Sequence, residues 1–212
     1  GGAVLGTPTP SLDALAAEGL MLTQFFVEPG CTPSRAGLMT GRYSVRSGLN
    51  SIIVAGTPLT LKDEEFTVAE LFKKHGYRTG MMGKWHLGHH PETLPRTQGF
   101  DSYYGIPYSN DMNHPDNKGK PKGGADGMDI LWNDPESTLT KWKTPLFKDE
   151  KIVELPVDQR TVTRRYTQNA IDFIEEHQKE FVFETVLWLD SRAIEISQQR
   201  IKAERDKMKR KR

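Results

Sequence analysis

The chain has 212 residues, a formal net charge of +1 and a single cysteine. That is room for one medium domain or a large part of a bigger one, and repulsion does not force such a chain open. One cysteine excludes an internal disulfide framework and a multi-Cys zinc site. No apolar run approaches the roughly 20 residues of a membrane-spanning helix, and no basic-then-apolar stretch reads as a signal peptide.

In chain order, Thr9-Pro10 reads as a helix start, with Leu12, Leu15 and Ala16 as an apolar stripe and Gly19 as the stop. Leu20 to Val27 is rich in strand formers, and Glu28-Pro29-Gly30 breaks the chain. A short helix through Pro33-Ser34-Arg35-Ala36-Gly37-Leu38-Met39-Thr40 follows, closed by Gly41, so Cys31 falls at or just before a helix N-terminus. Thr67-Val68-Ala69-Glu70 is a capping box, Gly76 stops that helix, and Tyr77 to Met82 reads as a short buried strand. Helix, glycine stop and strand, occurring twice, predict an α/β layered fold with a largely parallel sheet. Residues 88–145 are loop-rich, and the adjacent His89 and His90 are expected to line a loop. Tyr166, Ala170, Phe173 and Ile174 predict an amphipathic helix over 160–177, with Phe181-Val182-Phe183 as the next strand. Beyond residue 183 the pattern changes. Residues 191–212 carry nine Lys/Arg and three Asp/Glu, a basic tail on a slightly acidic body. The boundary is therefore drawn at 1–183 for the body and 184–212 for a helical or disordered tail. Nucleic-acid binding by that tail is not expected, because it lacks interleaved aromatics for base stacking.

Two clusters carry chemistry. Cys31-Thr32-Pro33-Ser34-Arg35 places a nucleophile-type side chain at the positive end of a helix, with Arg35 one turn in to add a fixed charge that binds oxyanions. The same residues also suit an inert thiol beside a helix cap. Gly83-Lys84-Trp85-His86-Leu87-Gly88 lies at the C-terminal end of the predicted strand. Alternation would put Lys84 and His86 on one face with Trp85 opposed. A cation and a proton-transfer group at a strand end suit an anion-processing site, though a solvated Lys and a capped His would read the same.

Together these stretches resemble the sulfatase family. Cys31-Thr32-Pro33-Ser34-Arg35 with Leu38, Thr40, Gly41 and Arg42 matches its first signature. Gly76-Tyr77-Arg78-Thr79 with Gly83-Lys84-Trp85-His86-Leu87-Gly88 matches its second. Gly99-Phe100-Asp101, Gly105-Ile106-Pro107-Tyr108-Ser109-Asn110-Asp111 and Thr9-Pro10-Ser11-Leu12-Asp13 are similar to arylsulfatase A-type segments. The resemblance implies a three-layer, alkaline phosphatase-like α/β fold, incomplete in this chain. It implies a sulfuric ester hydrolase acting on a sulfate ester substrate. By the same resemblance, Cys31 would be oxidised to formylglycine by a separate maturation enzyme, and residue 31 in that form would ligate a bound Ca²⁺. By motif position, the resemblance implies that Arg35 holds the formylglycine, Lys84 binds sulfate oxygen, His86 handles a diol proton, and Ser109 hydrogen-bonds in the sulfate pocket. A periplasmic or secreted location fits the family.

The resemblance also sets expectations about what the chain lacks. An Asp-Asp metal-ligand strand is expected before Gly1, and an Asp-Asn pair and a second Lys after the chain's end. A second His is expected after the Phe181 strand, where none follows His177. A partial active site with little turnover is therefore the expectation for the 212 residues. A phosphatase or phosphonate hydrolase of the same superfamily, and a non-catalytic remnant, are the alternatives.

Overall fold

The computed structural model describes residues 10–110, 112 and 144–186. The chain forms two compact units: Glu28–Trp188, and Gly1–Val27 with Leu189–Arg212. In the latter, α1 spans Pro10–Glu18 as expected, but Leu12 and Leu15 are exposed. The expected strand over 20–27 does not form: these residues have no regular structure, and Leu20 and Phe26 are more than four-fifths exposed. Strand formers make a strand only against a neighbour that completes the hydrogen-bond ladder, and no described strand pairs with this segment. The basic tail lies outside the described residues.

The Glu28–Trp188 unit is built on five strands. β1 spans Tyr77–Lys84, β2 Ser102–Ile106, β3 Leu146–Lys148, β4 Lys151–Glu154 and β5 Phe181–Val186. Their order in the sheet is β4-β3-β2-β1-β5. β1 pairs in parallel with both β2 and β5. β3 and β4 form an antiparallel hairpin added to the free edge of β2. The parallel half is the expected one; the hairpin and β2 fall where the sequence reads as loop or shows no pattern.

Alternation along the strands sorts the core into two faces. Met81, Tyr103 and Phe147 point to one face, where they meet Ala36 and Met39 of α2 (Cys31–Thr40) and Ala69 of α4 (Val68–Lys74). Met82, Tyr104 and Leu146 point to the other, against Tyr166, Ala170 and Phe173 of α5 (Val162–Glu176). Helices on both faces of one sheet make the three layers that the resemblance implies. A short helix, α3 (Ser44–Ser47), follows α2.

The caps match the local sequence. The Thr67 hydroxyl accepts from Glu70 N–H at 3.2 Å while Glu70 Oε2 accepts from Thr67 N–H at 2.6 Å, satisfying two helix-end donors of α4. Gly41 ends α2 at φ 66°, a conformation that costs other L-residues energy, and its N–H reaches the Gly37 carbonyl at 2.9 Å. Gly99-Phe100-Asp101 is tied to the start of β1: Thr79 Oγ1 donates to the Gly99 carbonyl at 2.8 Å and Asp101 Oδ2 accepts from Thr79 N–H at 3.1 Å. This cross-tie sets the register in which Gly83 faces Gly105.

A Cβ on Gly105 would collide with the Gly83 carbonyl, which is backbone and cannot swing aside. Gly105→Ala is therefore expected to destabilise the fold by about 1–3 kcal/mol or more, read as a lowered urea midpoint.

Candidate active site

Gly30 enters α2 in an extended conformation, with φ 175° and ψ 154°, so Cys31 is the first helical residue. The Ser34 hydroxyl donates to the Glu28 carbonyl at 2.6 Å, and Ser34 N–H donates to the Gly30 carbonyl at 3.1 Å. Cys31 is half-buried. Pro33 sits in the first turn, where its missing N–H costs no helix bond. One turn on, Arg35 is buried and its Nε donates to the Trp85 carbonyl. Thr32 Oγ1 donates to the His86 carbonyl at 3.1 Å and accepts from Ile53 N–H at 3.1 Å. The first turn of α2 thus grips the backbone just past β1.

On that side, pairing with the β2 segment continues beyond the strand. Trp85 N–H donates to the Ile106 carbonyl and His86 N–H to the Pro107 carbonyl, both at 2.9 Å. This draws Tyr108 and Ser109 alongside, and Lys84 Nζ donates to Ser109 Oγ at 3.3 Å. The Trp85 ring lies in the same core as Met81, with Nε1 donating to the Thr93 carbonyl at 2.9 Å. The simple alternation expected for His86 stops short: β1 ends at Lys84, and His86 takes φ 60°. That turn seats the fully buried imidazole against the Ile53 carbonyl, 2.8 Å from Nε2.

The electrostatics follow from burial. Burial pulls the Arg35 guanidinium down to about 10, with the Tyr103 hydroxyl and the Cys31 thiol acting weakly the other way, so it stays charged at neutral pH. No described carboxylate pairs with Arg35 or Lys84. A buried cation without a counter-ion is costly and favours an anion. Burial pulls His86 down to about 4, the Ile53 hydrogen bond opposes that, and the charges of Lys84, Arg35 and His89 add to it. Its imidazole is therefore neutral at neutral pH.

Of the expected residues, Arg35 and Cys31 interact on α2, Arg35 reaches the β1 end through Trp85, and Lys84 meets Ser109. His86 lies within electrostatic reach of Lys84 and Arg35. Asp111 lies outside the described residues. The rings of His89 and His90 lie 4.5 Å apart, tilted by 33°, in a loop as expected, and His89 Nε2 accepts from Gly56 N–H at 3.0 Å. Among the described residues no three His, Cys, Asp or Glu side chains gather as a cation site. The sequence alone gives Thr32 and Ile53 no role. Thr32 stands inside the first signature, but Ile53 acts through its backbone and leaves no side-chain signal.

The family model for sulfatases matches residues 2–187. The chain belongs to the sulfatase family. It is 39% identical to arylsulfatase G of Mus musculus over 173 residues, which is 79% of this chain and 33% of the relative. It is 53% identical to human arylsulfatase A over 108 residues, 49% of this chain and 21% of that protein. Human N-acetylgalactosamine-6-sulfatase is 34% identical over 85% of the chain and 34% of its own length. The chain thus spans about a third of the length of arylsulfatase G and of N-acetylgalactosamine-6-sulfatase. The crystal structure of the PsFucS1 sulfatase from Pseudoalteromonas sp. superposes with a TM-score of 0.65 at 30% identity, covering 87% of this chain and 38% of that one. The alkaline phosphatase-like α/β fold of this sulfatase chain is the one its signatures imply.

The His86 shift has a stability consequence. Its folded value lies below the ordinary histidine value near 6.5. The unfolded chain therefore binds the extra proton first as pH falls. Stability from the neutral buried ring is full above about pH 6.5 and is lost as pH falls toward 4. Urea midpoints at pH 7.5, 5.5 and 4.5 are expected to decline along that window, and His86→Gln to flatten the decline.

Proposed function

We propose that the protein to which this chain belongs hydrolyses sulfate esters, with residue 31 as nucleophile. The observation that carries the reading is the pair of cations without carboxylate partners among the described residues. The buried Arg35 of the first signature and the half-buried Lys84 of the second lie at the junction of the first turn of α2 with the end of β1. The half-buried Cys31 begins the intact Cys31-x-Pro33-x-Arg35 core that a formylglycine-generating enzyme reads. Matured to formylglycine and hydrated, residue 31 would supply a geminal diol: one hydroxyl would attack sulfur as the bond from sulfur to the leaving alcohol breaks, and the second would then expel sulfate and regenerate the aldehyde.

The side chains then divide the work. Lys84 Nζ and Ser109 Oγ bind and orient the sulfate oxygens, where their fixed donors stabilise charge that builds as the ester bond breaks. Arg35 fixes the start of α2 against the Trp85 carbonyl and adds a positive charge beside residue 31. His86 holds a proton on Nε2 against Ile53 and takes one at Nδ1. The Ca²⁺ that the resemblance implies finds no group of three His, Cys, Asp or Glu side chains to hold it among the described residues. The substrate class follows from the family. Aryl phosphate is the control substrate for the phosphatase and phosphonate-hydrolase alternative.

Two measurements test this. Peptide mass spectrometry after co-expression with a formylglycine-generating enzyme is expected to show residue 31 without sulfur and with an aldehyde. A plain thiol in every peptide, with a known substrate modified in parallel, contradicts the reading. In the matured native protein, aryl sulfate turnover is expected to vanish in Cys31→Ala. It should fall roughly 10²–10³-fold in Lys84→Ala and about tenfold in Ser109→Ala. Aryl phosphate turned over faster than aryl sulfate would favour the alternative.

A further inference from the structure

Thr32 is fully buried, and its one hydroxyl joins two backbones: it donates to the His86 carbonyl and accepts from the Ile53 N–H, each at 3.1 Å. The carbonyl of that same Ile53 lies 2.8 Å from His86 Nε2. A carbonyl only accepts, so Nε2 carries the proton. In a neutral imidazole the other nitrogen then holds the lone pair. His86 Nδ1 is buried and has no partner among the described residues. The contacts close a ring: Thr32 hydroxyl, His86 backbone, His86 imidazole, Ile53 carbonyl, Ile53 N–H, and back to Thr32. Of the three residues, only Thr32 can be removed from that ring while both its backbone partners remain.

We infer that Thr32 is a positioning residue: by clamping Ile53 to His86 it fixes the His86 ring as the Nε2–H tautomer and keeps Nδ1 as the ring's single proton acceptor. The hydroxyl itself need not touch substrate. It acts because the Ile53 carbonyl is a hydrogen-bond acceptor in the right place only while the Ile53 N–H is held. Without that hold the loop carbonyl drifts, Nε2–H loses its acceptor, and Nδ1–H becomes competitive. The neighbouring tie from Gly56 N–H to His89 Nε2 at 3.0 Å steadies the same loop but does not contact Ile53's own polar groups.

The test has two arms. Only the activity arm rests on the proposed sulfate-ester hydrolysis. In the first, long-range ¹H–¹⁵N spectra of the ¹⁵N-labelled full chain, with Cys31 as the thiol, report which nitrogen of His86 is protonated. Wild type and Thr32→Ser are expected to show Nε2–H alone. Thr32→Val and the smaller Thr32→Ala are expected to populate Nδ1–H. In the second arm, matured native protein is assayed on an aryl sulfate. Thr32→Val is expected to lower kcat roughly tenfold with KM unchanged, and Thr32→Ser to restore it. An Nδ1–H tautomer in wild type overturns the inference, as does a Thr32→Ala spectrum that matches wild type. A wild type without turnover defeats the sulfate-ester reading alone, and the tautomer pattern still decides the role of Thr32.

Discussion

The site depends on one contact: the guanidinium of Arg35, buried in the first turns of α2, donating to the Trp85 carbonyl just past the end of β1. A charged group taken out of water without a carboxylate beside it is expensive, and this one is held by a backbone carbonyl and by packing. Because β1 is the strand that every helix layer contacts, fixing the start of α2 to its end fixes residue 31 relative to the whole sheet. Thr32 adds a second tie to the next carbonyl along, that of His86. The helix end and the strand end therefore behave as one rigid corner.

The corner is electrostatically biased toward anions. Arg35 and Lys84 supply charge, the start of α2 supplies free N–H groups, and His86 is kept neutral by burial. A neutral imidazole within electrostatic reach of two cations can accept a proton without first losing one, whereas a charged one would add repulsion and offer no lone pair. Ser109, delivered by the extension of β2, is the hydroxyl that meets Lys84. Its place depends on the close approach of Gly105 to Gly83, since that register aligns the two strands up to their ends.

Much of this was legible in the sequence for identifiable reasons. α4 carries a capping box and α5 a strong apolar periodicity, and the buried face of α5 is the one read from Tyr166, Ala170, Phe173 and Ile174. β1 follows a glycine stop. The two signatures single out Cys31, Arg35, Lys84 and His86, and the arylsulfatase A-type segment singles out Ser109, because these motifs are long and ordered. The failures have physical causes. Residues 20–27 have the composition of a strand but no described neighbour. β3 has three residues, too few to show alternation, and its turn uses Asp149 at φ 55° where a glycine would have announced it. β2 depends on contacts distant in sequence, including Asp149 Oδ1 accepting from Tyr103 N–H at 3.0 Å. The orientation of His86 escaped because a left-handed residue breaks the two-residue repeat, and the group that orients it is a backbone carbonyl.

The central claim is that the first turn of α2 and the end of β1 form a single oxyanion site. A crystal structure of the matured native protein soaked with inorganic sulfate tests it most directly. The expected result is a sulfate within hydrogen-bond distance of Lys84 Nζ and Ser109 Oγ, in contact with the side chain of residue 31. Sulfate bound elsewhere, with Lys84 and residue 31 facing away from each other, would contradict it.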